Sequence, residues 1–156
     1  MIQLRPEQRN RVTRWLAAAA LGYLIVAPPA HAQGSDSAAT AVSAAQSAAQ
    51  SWLQLVDAGR YDQSWDSAAA VFRSAVTKSQ WAGAVKEGRA PFEPLGGRTL
   101  LSAAYTTQLP NVPPGQYVVI QYRTKAGQGK TVIETITPAR DRDGHWRVAG
   151  YYVRPE

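Results

Sequence analysis

The sequence predicts an α+β domain in which three N-terminal helices pack on a four-stranded antiparallel meander sheet. Three observations predict it. Apolar residues recur at steps of three and four from Ala38 to Val85, which is helical spacing. After Gly97 the pattern changes to short runs rich in β-branched and aromatic residues, divided by turn clusters. The last two of those clusters are too short for anything but antiparallel neighbours, since a parallel crossover needs about a dozen residues or more.

The first helix is expected over residues 37–58. Ala38, Val42, Ala45, Ala49, Trp52 and Val56 form one stripe, widened by Leu53 and Leu55. Ser35, Asp36 and Ser37 offer N-caps, and Gly59 is placed to stop the helix as its C′ residue. A second helix is expected from Asp62, as its cap, to Val76, with Trp65, Ala69, Phe72 and Val76 on one face. A third opens with Thr77-Lys78-Ser79-Gln80, a capping-box pattern, and puts Trp81 and Val85 on a shared face. Gly88, Pro91, Pro94 and Gly96-Gly97 end helical structure. Strands follow at 98–109, 116–125, 130–137 and 145–154.

Ahead of this domain lies a different kind of segment. Arg5, Arg9, Arg11 and Arg14 precede the uncharged run Trp15–Ala27; Pro28-Pro29 ends it, and Ala30-His31-Ala32 has small residues at both positions of an A-x-A cleavage site. These are the three parts of a secretory signal peptide, and the apolar run is too short to span a bilayer. The organisation expected is a cleaved signal peptide over 1–32 and a single domain over 33–156, with Gln33 the first mature residue and the periplasm, or secretion beyond it, the destination.

Processing alters the charge argument. The whole chain has 156 residues, 17 Lys+Arg, 11 Asp+Glu and a net charge of +6. Four of the arginines and one of the acids lie in the leader, so the mature domain carries only +3. A nucleic-acid role therefore loses most of its support. With no Cys there is no disulfide, thiol nucleophile or Cys-based zinc site. A hydrophobic content of 45% suits a packed core.

Motifs with apparent chemistry have plainer readings. Gly129-Lys130-Thr131 lacks the upstream Gly of a phosphate loop and precedes a strand. Asp141-Arg142-Asp143-Gly144 lacks the distal Glu of a calcium loop, because Tyr152 stands there, and reads as a hairpin turn. His145 is the single histidine of the mature chain and has no G-x-S-x-G partner. Asp62 and Asp66 share a helical face but read as a cap and a solvated position. No metal site or cofactor is expected.

Glu134 is the informative acid. Strand alternation puts it on the face of Val132 and Ile136; if that face is the core, the carboxylate needs a partner such as Arg98 or Arg123. A ligand-binding cleft, if one exists, would involve Glu134, Arg98, Tyr122, Trp65 and Trp146. The many Trp and Tyr residues otherwise read as core.

Trp52-Leu53-x-Leu55-Val56-Asp57-x-Gly59-x-Tyr61-x-x-Ser64-Trp65-Asp66, with Trp81, Leu109-Pro110, Gly115-x-Tyr117-Val118-Val119, Glu134 and the closing Trp146–Tyr152 segment, resembles the bacterial domain-of-unknown-function family 4019. The resemblance covers residues 45–154 and implies a small exported protein without assigned activity. The order of helices and curved sheet also looks like the nuclear-transport-factor-two-like cone fold, which hosts enzymes and binding modules alike. The expected role is a non-enzymatic binding or interaction module whose partner is an envelope protein or small ligand; the alternative is a cone-type pocket or enzyme around Glu134. N-terminal sequencing of protein purified from its host should begin at Gln33, and an intact Met1 would contradict the processing.

Overall fold

The computed structural model of the protein describes residues 31–156, with side-chain surroundings from Ser37 onward. Residues 1–30 of the targeting segment, including Ala30 of the cleavage site, lie outside the described residues, while Ala32 and Gln33 fall in the opening of the first helix. Helix α1 runs His31–Asp57. It begins earlier than the expected 37, so Ser35, Asp36 and Ser37 lie within the helix instead of capping it. Its C-terminus is closed as expected. Gly59 adopts φ +69°, and the amides of Gly59 and Arg60 donate to the carbonyls of Val56 and Leu55 at 3.0 and 2.8 Å, a Schellman closure.

The expected second helix is two short helices, α2 (Tyr61–Asp66) and α3 (Ala70–Ala75). This makes four α-helices, not three, among the described residues. The break has an identifiable cause. Ser64 and Ser67 turn their hydroxyls onto the carbonyls of Tyr61 and Ser64, local bonds that compete with helix propagation. Ala69 is extended, at φ −60° and ψ 151°, and its amide donates to Val148 O at 2.8 Å. The helix is interrupted so that the fully buried Ala68 and Ala69 can lie against the sheet. Asp62 sits in the first turn of α2, behind Arg60 at the N-cap position.

Helix α4 (Lys78–Arg89) starts at the expected capping box: the Gln80 amide donates to Thr77 Oγ1 at 3.3 Å and the Thr77 amide to Gln80 Oε1 at 2.9 Å. It continues through Gly88 and passes into a 3-10 turn at Ala90–Phe92.

The sheet is a meander in the order β1 (Gly96–Thr106), β2 (Tyr117–Lys125), β3 (Thr131–Arg140), β4 (Trp146–Pro155), with every neighbour antiparallel. β3 extends three residues beyond the expected Thr137, through the helix- and strand-unfriendly Pro138. The ladder tolerates it because the β3–β4 register shifts between Thr137 and Pro138, where a proline has no N–H to give. The turn at Asp141–Gly144 is the expected hairpin, with Gly144 at φ +82°.

Between helices and sheet lies an aromatic core. Trp81 sits 5.4 Å from Trp52, 5.1 Å from Phe72 and 6.2 Å from Tyr151, the last two edge-on. Ser64, fully buried, fixes both tryptophans: its carbonyl accepts from Trp52 Nε1 at 2.8 Å and its hydroxyl from Trp81 Nε1 at 2.9 Å. The indole N–H groups are thus satisfied inside the core, as buried Trp requires.

Two stability measurements follow. Trp81→Ala should cost about 3–5 kcal/mol in urea unfolding, since it removes a ring with three aromatic neighbours and leaves a cavity. Thr77→Ala should cost about 1 kcal/mol through the lost cap.

Candidate functional site

Glu134 lies on the core face of β3 with no solvent contact. A carboxylate there must be paired and hydrogen-bonded or it would protonate. Both oxygens are engaged. Arg98 Nε donates to Oε2 at 2.6 Å and Arg98 Nη2 to Oε1 at 3.0 Å, a bidentate fork. Thr124 Oγ1 donates to Oε2 at 2.6 Å and the Tyr151 hydroxyl to Oε1 at 2.7 Å. Of the two arginines the sequence offered, Arg98 is the partner. Arg123 stands beside Ile133, on the other face of the sheet, and pairs with Glu156.

Arg98 also reaches across to the helices. Its Nη1 and Nη2 donate to Asp57 at 2.6 and 2.9 Å. Asp57 is the last residue of α1, where the negative end of the helix dipole disfavours an anion. Two arginines offset that: Arg98, and Arg89 at 2.8 Å from the last turn of α4. Arg89, only 2% exposed, also binds Glu93 at 2.8 Å. The chain Glu134–Arg98–Asp57–Arg89–Glu93 therefore ties α1, α4 and the first and third strands together.

The protonation states follow from this geometry. Burial alone would raise the Glu134 pKa, but the Arg98 fork and charge, with the Thr124 and Tyr151 hydroxyls, bring it below its ordinary 4.5. Asp57 behaves alike: burial raises it, and Arg98 and Arg89 together carry it below 3.8. The Tyr151 hydroxyl is pushed far up, first by burial and then by the Glu134 charge, so it stays a donor.

The other expected site residues are not gathered here. Tyr122 is the cross-strand neighbour of Glu134 and is buried. Its hydroxyl makes no hydrogen bond of good geometry, with the Gln50 side chain beside it, and burial raises its pKa. Trp65 is half-buried on α2, donating from Nε1 to Val76 O at 2.8 Å, with Lys78 Nζ 5.3 Å from its ring centre. Trp146 opens β4 at the far end of the sheet, beside Tyr105. Glu134, Arg98 and Tyr122 thus meet, and Trp65 and Trp146 stand apart from them.

Asp57, Arg89, Thr124 and Tyr151 were missed. Arg89 had a signal, since it continues the spacing of Trp81 and Val85 by another four residues on the buried face of α4. Thr124 likewise continues the alternation Val118, Ile120, Tyr122. Tyr151 had none: the irregularity near Pro138 shifts the parity of β4, turning Tyr151 inward and leaving Tyr152 63% exposed.

Concavities lie around this network, not within it. One of about 270 Å³ is walled by Gln50, Leu53, Gln54, Asp57, Arg98 and Tyr122. Another, of about 160 Å³, lies between α4 and β4, with Trp81, Arg89 and Tyr151 in its wall. Among the described residues, no group of three or more His, Cys, Asp or Glu could hold a metal ion. No helix among them is long and apolar enough to cross a membrane.

A family model described as "Protein of unknown function (DUF4019)" matches residues 48–151, well over half of the chain. That span contains Asp57, Arg89, Arg98, Thr124, Glu134 and Tyr151. No curated protein and no solved structure matches the chain, so the likeness to cone folds rests on the order of its elements alone.

Replacing Glu134 by Gln should destabilise the fold by about 3–5 kcal/mol, because it leaves Arg98 with half of its charge partners. The same variant should flatten the acid limb. A depressed folded pKa gives stability that is whole above the unfolded value, 4.5, and is lost as pH falls from there through the lower folded value. Urea titrations at pH 7, 5, 4 and 3 should show the wild type losing more of its stability than Glu134→Gln.

Proposed function

The chain belongs to the DUF4019 family of proteins of unknown function, and from that premise we propose that it is an exported, periplasmic, non-enzymatic binding or interaction module. One observation carries the reading: both oxygens of Glu134 are taken by Arg98, Thr124 and Tyr151, and no solvent reaches them. A general acid or base must touch its substrate and titrate near working pH. Glu134 is walled off and held below the ordinary range, so its role is to fasten helices to sheet. What supports export is the basic, apolar and A-x-A order of residues 1–32. What supports binding is a packed domain whose larger concavities lie open at the surface.

A second reading has a specific observation in its favour. Tyr122, whose buried hydroxyl has no hydrogen-bond partner, lines the pocket of about 270 Å³ together with Arg98 and Asp57. A small molecule with a hydrogen-bonding group could seat there, beside Glu134 instead of upon it. This is the cone-type pocket reading.

A turnover screen of the purified protein against ester, phosphoester, glycoside and isomerisable carbonyl substrates discriminates between the two. The interaction module predicts no turnover above buffer. Turnover that disappears in Tyr122→Phe, with the melting temperature kept, would establish the pocket reading in its place.

A further inference from the structure

Two clefts meet at Arg140 and Gln116. The larger, about 880 Å³, is walled by three separate pieces of chain. These are helix α3 with Val71 and Arg73, the β1–β2 connection with Pro113 and Pro114, and the β3–β4 hairpin from Arg140 to Asp143. The smaller, about 760 Å³, continues past Tyr105 and Trp146 beneath the Ala41–Ala44 stretch of α1.

The charges in the larger cleft are unequally committed. Four arginines and three aspartates line it. Each aspartate already has a cation. Asp66 is paired with Lys78 at 2.7 Å, and Asp141 and Asp143 share Arg147 at 3.0 and 2.8 Å. Arg73, Arg140 and Arg142 have no carboxylate partner among the described residues. Arg73 donates to the Asp66 carbonyl, and Arg140 to the Gly144 carbonyl and the Gln116 side chain. Three guanidinium groups thus line one cleft with no carboxylate at ion-pair distance among the described residues, and the lining carries a net positive charge.

We propose that this cleft docks an acidic, extended peptide segment of a partner protein. The proposal rests on the interaction-module reading and gives it a site and a ligand chemistry. Guanidinium forks pair with carboxylates in two parallel hydrogen bonds, which favours carboxylate side chains over a diffuse negative charge. The apolar part of the lining, Val71 at 37% exposure with Pro113 and Pro114, lies among those cations. An extended chain points alternate side chains to opposite sides. A sequence alternating acidic and apolar residues can therefore meet both kinds of wall. The lining comes from three separate pieces of chain around one concavity, a shape that suits a chain laid along it better than a flat surface. Opposite charge would also speed encounter and make binding weaken with salt.

The test titrates the ¹⁵N-labelled protein with a synthetic octapeptide of alternating Glu and Leu, against a Lys–Leu control. The amides of residues 71–74 and 140–142 should shift with the acidic peptide alone, and affinity should fall at least tenfold between 50 and 300 mM salt. R73E/R142E should lose at least tenfold in affinity, and K125E/K130E, remote from the cleft, less than twofold. If R73E/R142E proves unstable, Arg142→Glu alone serves, since that side chain makes no hydrogen bond or ion pair among the described residues. The proposal is overturned if no amide shifts, if the shifts map elsewhere, or if only anionic phospholipid vesicles bind. A partner recovered equally by wild type and R73E/R142E would overturn the cleft and leave the interaction-module reading standing; catalytic turnover would overturn that reading itself.

Discussion

A carboxylate without solvent must find its counter-charge inside the protein, and Glu134 finds it in a residue that has to span two layers. Arg98 enters at the start of β1 and holds Glu134 with one edge of its guanidinium and Asp57 with the other. That single fork sets where the end of α1 lies over the sheet. Arg89 then extends the constraint to α4. Removing Arg98 leaves the buried Glu134 without its only charge partner, and removing Glu134, Asp57 or Arg89 takes one of two partners from a neighbour; the first costs more than the intact network gains over an apolar core. The network is thus poor evidence for high stability and good evidence for a single helix–sheet arrangement.

The aromatic core uses the same geometry. Tyr151 packs its ring against Trp52 and Trp81 and gives its hydroxyl to Glu134, so apolar packing and ion pairing share one side chain. Ser64 does the equivalent on the helical side, binding two indoles from a broken helix. Most polar groups of the interior are consumed in this way; Arg89 Nη1 and the Tyr122 hydroxyl are the buried side-chain atoms left without a partner among the described residues. Chemistry available to other molecules lies at the surface, in the arginine-lined cleft and the rim beside Tyr122.

Much of this architecture is legible in the sequence. The stripe from Val42 to Val56, the Gly59 stop, the Thr77 capping box and the four-strand meander follow from period and turn chemistry. So did the demand of Glu134 for an arginine. Three features escaped for physical reasons. The break between α2 and α3 depends on the Ala69 amide finding Val148, a tertiary bond that outweighs an unbroken helical pattern. The inward turn of Tyr151 depends on a register shift opposite Pro138. The free arginines depend on which cations the aspartates choose, and sequence cannot assign that pairing between Asp141, Asp143 and their basic neighbours.

The claim that Glu134 and Arg98 are a coupled structural pair is open to a double-mutant cycle in urea unfolding at pH 7, using Glu134→Gln, Arg98→Met and the combination. A coupling of about 2 kcal/mol or more is expected, with the double variant far more stable than the sum of the singles implies. Losses that add to within about 0.5 kcal/mol would contradict it, because independent sites behave in that way.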